Sequence, residues 1–142
     1  MFFGEYRHTI DAKGRISIPA KMRNQCGELV YVMKGTEGCL SVYDEEGWQQ
    51  QYEYLRKKHR SGKEARAFMR LLTSGVRDLP FDKMGRINIP QELRNLANIT
   101  KDCVIIGSGE HMEIWDAATW DRYFEDNIDH FDAYADDDEE DD

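Results

Sequence analysis

Residues 11–19 read DAKGRISIP and residues 82–90 read DKMGRINIP. Asp, Gly, Arg, Ile, Ile and Pro recur in the same order, as Asp11/Asp82, Gly14/Gly85, Arg15/Arg86, Ile16/Ile87, Ile18/Ile89 and Pro19/Pro90. The match runs ungapped from Asp11–Arg23 onto Asp82–Arg94. After a slip of one residue it resumes. Gly35 meets Gly107, LSVYD meets MEIWD, Trp48 meets Trp120 and Tyr52 meets Phe124. Similarity over most of each half identifies an internal duplication.

Each half predicts short strands followed by helix. YRHTID and GRISIP flank a turn rich in Asp, Lys and Gly, the pattern of a hairpin. LVYVMK and CLSVYD are rich in Val, Leu and Tyr and predict two more strands. The second half repeats the set as SGVRDLPFD, GRINIP, CVIIGS and MEIWD. PAKMRNQCG and PQELRNLAN predict short helical turns with Pro at the first position. Trp48, Tyr52 and Leu55 recur at helical spacing, and KEARAFMRLL carries helix to Ser74-Gly75, with a break at Ser61-Gly62. AATWDRYFEDNIDHFDAYA predicts a last helix with Trp120, Phe124, Ile128 and Phe131 on one face, for core or subunit-interface packing. A half of about 45 residues buries too little surface alone, so two halves must share one core. The expected product is a small mixed barrel of interleaved hairpins with helices alongside.

The chain has 142 residues and a formal net charge of −9, which taken alone argues against nucleic acid as a partner. The distribution matters more. Residues 1–95 hold 17 Lys+Arg against 12 Asp+Glu, whereas residues 96–142 hold 2 against 16. The final DDDEEDD, from Asp136, is expected to be disordered and self-repelling. It reads as a solubilising tail, or as a modulator that competes with DNA phosphates for the basic face. No run approaches the roughly 20 apolar residues of a membrane span. The opening MFFGEYRH lacks a basic segment followed by an apolar one, so no secretory signal is expected. Three separated cysteines (Cys26, Cys39, Cys103) then point to reduced thiols in the cytoplasm.

Several chemistries find no support. A calcium loop at Asp82 would carry Met84 and Arg86 where oxygen ligands belong. His8, His59, His111 and His130 lack HExxH spacing, and no CxxC pair occurs, so no zinc site is expected. No phosphate-binding glycine motif is present, and GSGEH at Gly107 reads as a turn. No Ser/His/Asp set is discernible by position. The expectation is no enzyme, no cofactor and no small-molecule substrate.

The repeated loop is the candidate site. Gly14 and Gly85 fall where a tight turn needs positive φ. Asp11 and Asp82 can accept hydrogen bonds from loop amides and so shape the turn. Arg15 and Arg86, four residues on, lie within reach of their aspartates. On one reading the pair only staples the hairpin. On the other, Arg7, Lys13, Arg15, Lys21 and Arg23 form a basic cluster on a two-stranded ribbon, which fits a DNA major groove. Arginine pairs bidentately with guanine, and lysine neutralises phosphate. The second loop keeps Lys83 and Arg86 but has Met84 where the first has Lys13, so it is less basic.

At these residues the chain resembles a known family. Asp-x-x-x-Arg with Gly before the Arg and Ile-x-Ile-Pro after it, twice over, is similar to MraZ, a two-copy member of the SpoVT-AbrB (swapped-hairpin) group. The resemblance runs from FFGEYRHTIDAKGRISIP through FDKMGRINIPQELR to MEIWD, and leaves out only the segment after Ala135. It implies an α+β, mainly β fold, a duplicated swapped-hairpin β-barrel with flanking helices. The corresponding divisions are a first repeat at 5–47, a helical connector at 48–75, a second repeat at 76–119, a C-terminal helix at 120–135 and the acidic tail at 136–142. It implies a non-enzymatic, nucleoid-associated transcriptional regulator in the cytoplasm. Such proteins bind short, G-containing direct repeats of double-stranded DNA upstream of the division and cell wall gene cluster that they head, and they assemble as ring-shaped homo-oligomers. By this similarity Arg15 makes the base or phosphate contact, with Arg7, Lys13 and Arg86 beside it, while Asp11 and Asp82 shape their loops. An antitoxin-like or scaffold module on the same barrel, binding a protein partner, is the alternative.

Overall fold

The structure, a computed structural model, describes residues 1–136. The acidic run expected at 136–142 therefore lies outside the described residues, Asp136 excepted. The first half forms β1 (Glu5–Thr9), β2 (Arg15–Ser17), α1 (Ala20–Arg23), β3 (Leu29–Lys34) and β4 (Leu40–Tyr43). Two helices follow, α2 (Glu45–Lys58) and α3 (Lys63–Ser74). The second half repeats the order as β5 (Arg77–Pro80), β6 (Arg86–Asn88), α4 (Gln91–Leu96), β7 (Asp102–Gly107) and β8 (Met112–Asp116), then α5 (Ala117–Ile128) and α6 (Phe131–Ala135).

The caps explain the boundaries. Asp44 and Asp116, matched in the duplication, each cap a helix. Asp44 accepts from the Gly47 amide at 2.8 Å and Asp116 from the Thr119 amide at 3.1 Å. Gly62, at φ +103°, separates α2 from α3 where the sequence predicts the break. Pro19 and Pro90 sit one residue earlier than expected, as N-caps in extended conformation rather than at the first helical position.

All ladders are antiparallel. β1-β7-β8-β4-β3-β5 form a six-stranded sheet, and β2-β6 a separate ribbon. The order reads the same from both ends once repeat-equivalent strands are exchanged. Each half lends its first strand to the other: β1 pairs with β7, and β5 with β3. The expected local hairpin is corrected accordingly. YRHTID and GRISIP do not ladder with each other, because β2 pairs with β6 from the other half. That choice sets Ile16 directly opposite Ile87, both essentially inaccessible to solvent. Burying such a side chain stabilises by about 1.5–3 kcal/mol, and neither half alone supplies both isoleucines.

Ile16, Ile18, Ile87, Ile89, Val30 and Val42 belong to one core cluster drawn from both halves. By contrast α2, α3 and α5 contain no fully buried residue. Helices nevertheless hold more residues than strands, so the β-weighted balance expected from the sequence is reversed. The six-stranded sheet ends at β1 and β5, which do not pair with each other. The expected apolar face of the last helix also divides. The Trp120 ring packs edge-on against Trp115 at 5.2 Å, whereas Phe124, Ile128 and Phe131 are exposed and a break at Asp129-His130 ends α5.

Candidate nucleic-acid interface

The two Asp-x-x-Gly-Arg loops are built identically. Asp11 Oδ1 accepts from the backbone amides of Lys13 (3.0 Å) and Arg15 (2.9 Å). Its Oδ2 accepts from Arg15 Nε at 2.7 Å. Asp82 does the same for Met84 and Arg86, with both amide bonds at 2.9 Å and Arg86 Nε at 2.8 Å. Backbone bonds from Asp11 N to Arg15 O and from Gly14 N to Asp11 O close the turn, and Asp82 and Gly85 repeat them. Amide hydrogen bonds, led by that of residue i+4, hold both carboxyls below the usual aspartate range.

Each arginine is therefore fixed through Nε alone. Among the described residues, neither Nη atom of Arg15 or Arg86 has a hydrogen-bond partner. Stapling and recognition are thus compatible: the aspartate orients the guanidinium and leaves its outer edge free for a bidentate acceptor. Register places the two arginines together. Arg15 lies opposite Asn88 and Arg86 opposite Ser17, so all four occupy the outer face of the ribbon while Ile16 and Ile87 fill the inner one. Arg15, Arg86 and Asn88 border one open depression of about 550 Å³, walled by Leu79, Pro80 and Phe81.

Each loop is gripped from the opposite half. Gly14 O accepts from Ile89 N at 2.8 Å, and Gly85 O from Ile18 N at 3.1 Å. Arg94 donates to Ile89 O at 2.9 Å and lies where a Cβ on Gly14 would reach. Arg23 donates to Ile18 O at 2.7 Å and lies likewise against Gly85. Arg23, placed by sequence in the basic cluster, instead supports the second loop. Its role was foreshadowed by one signal, the Arg23/Arg94 match in the duplication. Ser17 and Asn88 carried no such signal and became visible only through register.

The other expected cations are dispersed. Lys13 and Lys83 are exposed at the loop tips, one in each loop. Lys21 stands 5.7 Å from the Phe3 ring centroid. Arg7 is on β1, bonded to both Asp121 carboxylate oxygens (2.7 and 3.3 Å) and to Glu5 (3.0 Å), so its charge is answered within the chain. The structure brings together Arg15 and Arg86, and leaves Arg7 on the sheet edge against α5.

Other reactive groups are quiet. Cys26, Cys39 and Cys103 are unpaired, and burial pushes their thiols up to about 11, 12 and 11, so they stay protonated at neutral pH. Among the described residues no three His, Cys, Asp or Glu side chains converge as a metal site, and no helix is long and apolar enough to cross a membrane.

A family model described as "MraZ protein, putative antitoxin-like" matches residues 1–71 and again residues 72–141. Its unit boundary reproduces the 71-residue offset between Asp11 and Asp82. With the unit written twice across nearly its whole length, the chain belongs to the MraZ family.

Proposed function

We propose that this protein is a sequence-specific, double-stranded DNA-binding transcriptional regulator. It recognises short direct repeats near its own promoter, upstream of the division and cell wall gene cluster, as a ring-shaped homo-oligomer in the cytoplasm. It catalyses no reaction. One observation carries the reading: Arg15 and Arg86 share the outer face of a two-stranded ribbon with their Nη edges unengaged. A ribbon of this kind enters the major groove, and each bidentate arginine–guanine pair discriminates by about 1–3 kcal/mol. Lys13 and Lys83 at the loop tips neutralise flanking phosphates. Family membership and the strand exchange between halves support the swapped-hairpin barrel as the frame.

One ribbon makes few phosphate contacts and binds weakly at physiological salt. A cyclic head-to-tail array presents identical ribbons in succession, which gains avidity and matches direct rather than inverted repeats. The family description favours a second reading, an antitoxin-like module whose acidic last third binds a protein partner.

Fluorescence anisotropy with labelled upstream DNA and a shuffled duplex separates the two. The regulator reading expects tight, salt-sensitive binding to the native duplex alone. Binding to neither duplex, together with stoichiometric capture of a partner without DNA, would establish the second reading.

A further inference from the structure

The duplicated halves end in helical arms of opposite charge. α2 and α5 begin at matched aspartate caps and carry matched tryptophans, Trp48 and Trp120. Residues 56–70, the end of α2 and most of α3, hold seven Lys or Arg against the single acid Glu64. Residues 117–136, α5 and α6, hold six Asp or Glu against the single base Arg122. All these charges are exposed. Ion pairs inside the chain use Arg56 with Glu53 and Asp121 with Arg7, and among the described residues none joins the two arms.

The arms also match in shape and polarity. α3 borders an open groove of about 890 Å³ whose apolar walls include Leu55, Phe68, Leu71, Leu72, Leu93 and Leu96, with Lys34, Glu37 and Glu113 as its charged lining. Leu71 is 76% exposed there. The acidic arm exposes Phe124, Ile128, Phe131 and Tyr134. Contiguous apolar surface rimmed by charge marks an interaction site.

Resting on the reading that the chain assembles with itself, we infer that the acidic α5–α6 arm of one copy docks against the basic α2–α3 arm of the next, its exposed aromatic side chains entering the groove beside α3. The two faces lie on different parts of one chain, so each copy has one of each to offer, as a head-to-tail array requires. DNA fits the groove poorly, because Glu37 and Glu113 stand among its lining residues and its remaining walls are largely apolar.

Two charge-reversed variants test this: Lys63→Glu with Arg70→Glu on the basic arm, and Glu125→Lys with Asp132→Lys on the acidic arm. None of these side chains takes part in a hydrogen bond or ion pair among the described residues. Molar mass by light scattering is the readout, with far-UV circular dichroism to confirm folding. The wild type is expected to be assembled, and each variant alone to fall to smaller species. An equimolar mixture is expected to recover mass, since the unaltered acidic arm of one variant meets the unaltered basic arm of the other in a wild-type junction. Variants that stay assembled alone, or a mixture that stays apart, overturn the docking surfaces while the wild-type mass preserves the oligomer. A monomeric wild type overturns both. Loss of DNA binding by the basic-arm variant at unchanged mass makes that arm a phosphate contact and overturns the docking. If a double reversal unfolds its chain, Arg70→Glu and Asp132→Lys alone take its place.

Discussion

The loops at Asp11 and Asp82 share a backbone and differ in dress. Both hold two amides on one carboxylate oxygen and one arginine Nε on the other, with bond lengths agreeing within 0.1 Å. Both glycines take positive φ, +91° and +77°. Yet Lys13 becomes Met84, which is 71% exposed, and Ala12 becomes Lys83. The Arg15 side chain is 35% exposed against 25% for Arg86. Three residues (Asp, Gly and Arg) therefore fix the geometry, while the positions between them are free to set charge. The same division recurs in the arms, where matched caps lead into two-helix arms of opposite net charge.

The sharpest way to separate the loops is at their glycines. A Cβ on Gly14 would lie 2.6 Å from the backbone oxygen of Ile89, which cannot retreat without breaking the ribbon. A Cβ on Gly85 meets chiefly the guanidinium of Arg23, the mobile end of a long side chain. Strained positive φ costs about 1–3 kcal/mol in either loop. Gly14→Ala is expected to destabilise by about 3 kcal/mol, and Gly85→Ala by less, nearer the strain cost alone. Denaturant unfolding reads both. Equal losses would mean that the opposite half grips the two loops alike.

Exchanging the differing residues is a smaller perturbation. Lys13→Met is expected to lower the slope of log affinity against log salt by about 0.9, the value for one phosphate contact. Met84→Lys restores a like amount only if the second loop also approaches a phosphate. An unchanged slope for Met84→Lys would assign phosphate contact to the first loop alone.

The smallest effect is on acid titration. Both loop carboxyls are depressed in the folded state, so their contribution to loop order is complete above the unfolded aspartate value of about 3.9. It is lost as pH falls through the depressed folded value. The Lys13 and Met84 amide resonances should be flat from neutral pH to about 4 and shift together below it. Asp82→Asn should remove that transition from the second loop only.

Most elements were legible in the sequence because they follow local rules. β3, for instance, occupies LVYVMK as read, and the Gly62 break falls where the chain requires it. Partner choice was not legible. Nothing in YRHTID says that it pairs with CVIIGS rather than with the adjacent GRISIP. That preference comes from burying Ile16 against Ile87, a contact 71 residues apart. The site divides along the same line. Asp11 with Arg15 could be read from spacing. The ion-paired state of Arg7 and the supporting role of Arg23 depend on Asp121 and Gly85, far away in the chain.

The most direct test is the affinity of Arg15→Ala, Arg15→Lys and wild type for the native and shuffled duplexes, with unfolding curves to confirm intact folds. Recognition through the ribbon expects Arg15→Ala to lose roughly 10–100-fold on the native duplex. Arg15→Lys should keep the weak binding to the shuffled duplex while losing discrimination, because it retains charge without the planar fork. A folded Arg15→Ala that still prefers the native duplex by the wild-type margin would contradict the account and leave Asp11–Arg15 as a staple alone.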